Sequence, residues 1–306
     1  MPRSRRLLLH GEGVYYHLIS RTVGQEFLLD TSEKEHLMSL FSHFSSVYFV
    51  DLVGFTILDN HFHMLVKSQT ANDYSIEEID RRVKVITNNK KLSSIKQLET
   101  VAKLENISEY MKSIKETFSK WYNKKHDRKG YFWSDRFKSI LLESGNAVMQ
   151  CLAYIDLNAV RAKIVELPEK YRWCSIAARK NSAPISKNMS FGGLYRDADL
   201  SSSAKLKLYR RYLYACGVHK KCNKGSIPKE LAEIEENLGF EIPANQLLIS
   251  KVRYFTEGLA IGTEGFIKDI YSKFHNNGIY KKSQKIFETE LSQEIMSLQK
   301  LRVLTS

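Results

Sequence analysis

The run Asp59-Asn60-His61-Phe62-His63-Met64-Leu65-Val66-Lys67 constrains this chain more than any other. Its apolar, aromatic and β-branched residues alternate with a period of two, which predicts a β-strand. On a strand, residues i and i+2 share a face. His61 and His63 therefore point the same way, and Phe62, Met64 and Val66 point into a core on the other side. Two imidazoles side by side can hold one divalent metal. A three-residue pattern is cheap, and the pair alone fits two polar residues near a strand end equally well.

A second stretch, Ala147 to Arg161, reads as a helix with Val148, Leu152, Ile155 and Ala159 as an apolar stripe. Tyr154 and Asn158 are i and i+4, one turn apart on one face, and Arg161 follows close to that face. That face is not the apolar stripe, so the phenol is expected outside the core. A tyrosine, an amide and an arginine in this order suit phosphodiester transfer. The phenol can attack phosphorus, the amide oxygen can complete a metal shell, and the guanidinium can grip phosphate. An amphipathic helix with its tyrosine ring tucked into a groove is the plain alternative.

Charge points the same way. The 306 residues carry a net charge of +13 with a pI near 9.4, which favours a polyanionic partner. No long apolar run offers a membrane anchor, so nucleic acid is expected and a membrane partner is not. The charge is clustered. Lys120, Lys124, Lys125, His126, Arg128, Lys129, Arg136 and Lys138 alternate with Trp121, Tyr122, Tyr131, Phe132 and Trp133. Basic residues can track a backbone while rings stack on bases, a pattern suited to single-stranded or distorted nucleic acid. A second basic cluster, Arg3, Arg5 and Arg6, forms an arm leading into the first strand. Cys151, Cys174, Cys216 and Cys222 form no CxxC pair, which fits a reducing cytoplasm rather than a zinc site or disulfide framework.

In order, Val14 to Ser20 reads as a strand and Ser32 to Val47 as a helix with Ser32 as N-cap. Tyr48 to Leu58 reads as a strand, Asp59-Asn60 as a turn, and the histidine strand follows. Strand, helix, strand, turn, strand begins a split βαβ, ferredoxin-like unit. Ser75 to Asn123 reads as a helical insertion interrupted near Asn88-Asn89, and Tyr171 to Ala178 as a last strand or extended segment. Asn181 to Ser203, rich in Ser, Gly, Asn and Pro, reads as a linker. Beyond it, Lys205 to Tyr214 reads as a basic helix and Pro228 to Leu238 as an acidic one. Asn245 to Phe274 reads as two helical pieces broken at Gly262, with Thr263 capping the second. A helix-turn-helix and a plain helical buttress are both open there. Lys281 to Leu304 reads as a charged amphipathic helix. This C-terminal part offers no evident ligand or nucleophile.

Five blocks in order resemble the single-tyrosine HUH transposases, in particular the REP-associated tyrosine transposases of the IS200-like group. Gly13 to Arg21 resembles their opening strand. Asn60 to Val66 resembles the HUH strand, with Phe62 as the bulky U. Phe118 to Lys138, centred on Gly130 to Lys138, resembles their basic hairpin. Tyr154 to Ala162 resembles the tyrosine helix, and Tyr171 to Ser175 the segment closing the domain. Asp59 and Ala159 stand where members often carry proline; neither is a catalytic position.

The resemblance implies an α+β fold: a ferredoxin-like antiparallel sheet with helices on one face, followed by a mostly helical C-terminal region. The histidines are expected on the opposite face, under the tyrosine helix. It divides the chain into a catalytic domain over 1–180, with a helical insertion over 75–123 and a basic hairpin over 124–140, a linker over 181–203 and a C-terminal region over 204–306. It implies a transposase that nicks and rejoins single-stranded DNA beside a hairpin, a repetitive extragenic palindrome or its like, through a 5′-phosphotyrosine. Tyr154 is the expected nucleophile. His61, His63 and Asn158 are the expected ligands of Mg2+ or Mn2+. Arg3, Arg5, Arg6, Lys124, Lys125, Arg128, Lys129, Trp133, Arg136, Lys138 and Arg161 are the expected DNA contacts. A bacterial cytoplasmic, nucleoid-associated location follows, with monomer and homodimer both open. A hairpin regulator that binds DNA or RNA without cutting is the rival reading, since charge and aromatics do not separate the two nucleic acids.

Overall fold

The computed structural model describes residues 7–9, 13–191, 200–218, 225–230, 233, 255–256, 258–276, 286–288 and 296–299. The strands are β1 (Tyr15–Arg21), β2 (Val50–Ile57), β3 (His61–Ser68), β4 (Lys138–Leu142), β5 (Gly258–Gly262), β6 (Ile286–Glu288) and β7 (Met296–Gln299). The helices are α1 (Thr31–Ser45), α2 (Ile76–Ile86), α3 (Ser94–Leu104), α4 (Ile107–Lys125), α5 (Asn146–Asp156), α6 (Asn158–Arg161), α7 (Ser175–Lys180), α8 (Ser202–Val218) and α9 (Glu264–Asn276).

One mixed sheet runs β2-β3-β1-β4-β5-β7-β6. Its first four strands are all antiparallel neighbours, the ferredoxin-like order expected from the sequence. Period-two alternation divides these strands cleanly. Tyr16, Leu18, Phe62, Met64, Val66 and Leu141 join one apolar core with residues of α1 and α4. Ile19, Leu65, Ile140 and Leu142 join a second core with α5, α7 and α8. The histidines lie on this second face, under α5 as expected.

Gly54 allows α5 to close on the sheet. A Cβ there would lie 2.2 Å from Leu152 Cδ1 and 3.1 Å from Ser175 Oγ. It follows a register shift in the β2–β3 ladder, a common place for a strand glycine. Asp156 then fastens the helices: its carboxylate accepts from Ser175 Oγ at 2.6 Å, Ile176 N at 3.0 Å and Tyr209 Oη at 2.6 Å. Those donors link α5 to α7 and α8.

Several local expectations give way. Asp30, not Ser32, precedes the first turn of α1, because Ser32 Oγ turns to the Glu33 carboxylate. The expected basic hairpin is a loop over 126–137 between α4 and β4, with one bridge, Thr22 to Trp133, just past the end of β1. Tyr171 to Ala178 makes one bridge, Cys174 to Thr56, and then turns into α7. Within the expected helical span 245–274, residues 258–262 form β5, parallel to β4. The short apolar run Gly-Leu-Ala-Ile-Gly carries no period, so strand and helix look alike until the β4 edge supplies hydrogen bonds. Thr263 does cap the helix after it, accepting from Phe266 N. Strands β6 and β7 fall where an amphipathic helix over 281–304 was expected. The acidic helix over 228–238 and the first part of 245–274 fall mostly outside the described residues, as do Arg3, Arg5 and Arg6. No helix among the described residues is long and apolar enough to cross a membrane.

Candidate active site

His61 and His63 stand two residues apart on β3, with ring centroids 5.1 Å apart and planes at 79°. Asn60 Oδ1 lies 2.6 Å from His61 Nδ1, and the Asn60 amide is itself oriented by donating Nδ2 to Gln25 O at 3.0 Å. His63 is 1% exposed. Its Nδ1 lies 2.8 Å from Nε2 of His17, a fully buried residue of β1 whose ring stacks on it at 5.0 Å and 25°.

Burial, with the Arg21 charge adding to it and Asp59 opposing, takes His61 down to about 4. Burial also takes His17 down to about 3, partly offset by the Phe255 backbone. His63 is pushed well below its usual range by burial, His17, His61 and Arg21. All three are neutral at pH 7, the state in which imidazole binds a metal.

Tyr154 of α5 sits over these rings. Its ring meets His63 edge-on at 5.6 Å and 90°, and His17 at 5.9 Å and 70°. Phe255 stacks on its other side at 5.1 Å and 19°. The phenol is 3% exposed, so the expectation of a tyrosine outside the core is corrected. The helical wheel gave α5 one apolar side, but the sheet's histidines and Phe255 enclose the tyrosine on the other. Burial pushes the hydroxyl up to about 12, against the Arg161 charge and a smaller Asn158 hydrogen bond. Arg161 Cζ lies 5.6 Å from the Tyr154 ring centroid, and its buried Nη1 makes no hydrogen bond.

The donor set fits a divalent ion. His61 Nδ1 and His63 Nδ1 are both engaged, which leaves each Nε2 for the site. Asn158 Nδ2 is spent on Tyr154 O at 2.9 Å, so its carbonyl oxygen remains. Among the described residues no group of three or more His, Cys, Asp or Glu could hold a metal, so an amide and substrate or water oxygens would have to complete the shell.

The other expected residues divide. Lys138 opens β4 and pairs with Ile19, which pairs with His63, so all three lie in one row across the sheet. Lys124, Lys129 and Arg136 are exposed. Lys125 is tied to Glu33 at 2.6 Å, and Arg128 is half-buried beside Tyr122. Trp133 is 9% exposed, packs against Phe62 and Phe118, and donates Nε1 to Lys115 O. Tyr131, 88% exposed, is the open ring of that loop.

Three residues escaped sequence reasoning. Arg21 faces His61 directly across the β1–β3 ladder. A cation among apolar strand residues could have drawn attention to it, as could a lone His17 in Tyr15 to Ile19. Phe255 gave no signal, since it lies about a hundred positions from the tyrosine it covers.

Residues 11–105 match the family model described as "Transposase IS200 like". That match bears out the IS200-like resemblance over these residues, which hold the first two of the five blocks, Gly13 to Arg21 and Asn60 to Val66. The matched residues include His17, Arg21, His61 and His63, and Tyr154 lies beyond them. A solved structure described as "Structure of the REP associates tyrosine transposase bound to a REP hairpin" aligns at 12% identity, covering 67% of this chain and 96% of that one, with a TM-score of 0.39. No curated protein matches this chain.

Proposed function

We propose that this chain is a metal-dependent endonuclease and strand transferase for single-stranded DNA, acting beside a hairpin of the repetitive extragenic palindrome kind. The observation that carries the proposal is the Tyr154 ring lying edge-on to His63 at 5.6 Å, between a neutral histidine cluster and Arg161. The hairpin preference rests on the five-block sequence resemblance.

His61, His63 and Asn158 would hold Mg2+ or Mn2+, which when bound supplies Lewis-acid stabilisation of charge on the phosphate oxygens. The remaining work belongs to the chain. Arg21 and Lys138 draw the scissile phosphate to the histidine face, and Arg161 meets its oxygens from the side of α6. Tyr154 oxygen forms a bond to phosphorus as the bond to the 3′ oxygen breaks. The phenolic proton is given up and the 3′ oxygen leaves as a hydroxyl. The DNA 5′ end stays on the tyrosine, and attack by another 3′-hydroxyl reverses the step. The phosphodiester energy is conserved, so no nucleotide cofactor is required. Access to a phenol that is 3% exposed requires the Phe255 ring to move aside.

That burial is also what favours the second reading, a hairpin-binding regulator of DNA or RNA that does not cut. Labelled DNA and RNA hairpins with single-stranded flanks, incubated with Mn2+ and resolved under denaturing conditions, separate the two. A DNA adduct that disappears in Tyr154→Phe and in chelator is the expected result. Tight binding with no cleavage under any divalent ion would establish the regulator instead.

A further inference from the structure

We propose that His17 is a positioning residue: it accepts a hydrogen bond from His63 Nδ1 and so keeps His63 Nε2 bare towards the site. The inference rests on the metal-dependent reading above and deepens it.

A neutral imidazole has one N–H and one lone pair. The 2.8 Å contact between His17 Nε2 and His63 Nδ1 therefore contains one proton and admits two arrangements. If His17 donates, His63 must carry its own proton on Nε2 and turns an N–H towards the site. If His63 donates, its Nε2 is bare and His17 carries its proton on Nδ1.

The metal-dependent reading selects the second arrangement, since only a bare Nε2 can hold an ion; His17 then carries its proton on Nδ1, a buried atom that makes no hydrogen bond. His61 offers the same nitrogen. Asn60 Oδ1 can only accept, and it is aimed at His61 Nδ1 because Asn60 Nδ2 is held by Gln25 O. His61 therefore carries its proton on Nδ1 and leaves Nε2 bare. With His63 in the matching form, the two residues offer the same nitrogen from adjacent same-face positions. The donor–acceptor pair behind a ligand histidine fixes its tautomer and ring orientation. Here one ligand leans on an amide and the other on a second histidine from the neighbouring strand. A phenylalanine at position 17 could fill the space but would leave His63 Nδ1 buried and unpaired. A glutamine can present an acceptor near the place of Nε2.

The test uses the full chain without DNA. Manganese affinity is read by electron paramagnetic resonance of free Mn2+, and imidazole tautomers by long-range proton–nitrogen-15 spectra of the apoprotein. We expect His63 of the wild type as the Nδ1–H form. His17→Phe should weaken Mn2+ binding by about 10–100-fold and shift His63 towards a mixture of tautomers. His17→Gln should recover most of the affinity. Circular dichroism and metal-free hairpin binding report whether each variant is folded. A folded His17→Phe with wild-type Mn2+ affinity, or a wild-type His63 protonated on Nε2, overturns the inference while leaving the metal reading intact. Should His17→Phe not fold, the wild-type spectrum and His17→Gln still decide. A wild type that binds no Mn2+, or a His63→Ala variant that binds it as well as wild type, overturns the metal reading itself and the inference with it.

Discussion

At the scale of single residues, the three histidines are neutral groups largely held apart from water, and this has a sign in pH. Burial takes His17 and His61 from an ordinary value of 6.5 down to about 3 and about 4, and pushes His63 well down in the same direction. The unfolded chain therefore takes up protons first on acidification. The stability these histidines contribute is full above pH 6.5 and is lost as pH falls towards 4 and 3. Asp156 runs the other way: burial raises it to about 6 despite its hydrogen bonds, so its protonation favours the folded state as pH falls. Three histidines outweigh one carboxyl. The metal-free melting temperature should drop between pH 7 and pH 4, and drop less in His17→Phe; a flat profile would contradict the buried neutral cluster. Gly54 makes a second residue-scale prediction. A methyl group there would collide with Leu152 and Ser175, so Gly54→Ala should lose about 1–3 kcal/mol in denaturant unfolding.

At the scale of elements, α5 is held by what lies over it as much as by the sheet beneath. Asp156 accepts three hydrogen bonds from α7 and α8 in a site with no solvent exposure. Asp156→Ala strands all three donors and should cost roughly 3 kcal/mol or more. Asp156→Asn, which keeps one acceptor, should cost less. Calorimetric melting of the two variants ranks them, and equal melting temperatures would remove Asp156 as the fastening. The basic loop over 126–137 carries a different expectation. Arg128, Lys129 and Arg136 do not build the histidine site, so neutralising all three should weaken hairpin binding without abolishing Mn2+ binding. If each contacts one phosphate of a single strand, the slope of log affinity against log salt should flatten by about 2. An unchanged slope in a salt titration would move recognition elsewhere.

At the scale of the whole molecule, the C-terminal residues belong to the site's surroundings. β5 extends the sheet from β4, Tyr209 bonds Asp156, and Phe255 covers Tyr154. Ending the chain near Ser182 removes all three. The shortened protein should melt well below the full chain or fail to fold. A stable, cleaving 1–182 fragment would show that this cover is dispensable.

Much of this was already legible in local pattern. Alternation in Asn60 to Val66 put two histidines on one face and three apolar residues on the other, because a strand's side-chain period is two whatever surrounds it. The i, i+4 spacing of Tyr154 and Asn158 put them on one helical face for the same kind of reason. Alternation in β1 likewise gave His17 a face, but not a neighbour. Its contact with His63 depends on the register that pairs Ile19 with His63, and register is set between strands. The burial of Tyr154 needed Phe255 to arrive from far along the chain. The strand over 258–262 needed a free edge at β4 before its aperiodic apolar run had a reason to extend. A local sequence carries its own period and its own capping groups. Which ring lies against which, and which is shut away from water, are decided by partners that only the folded chain brings within a few ångströms.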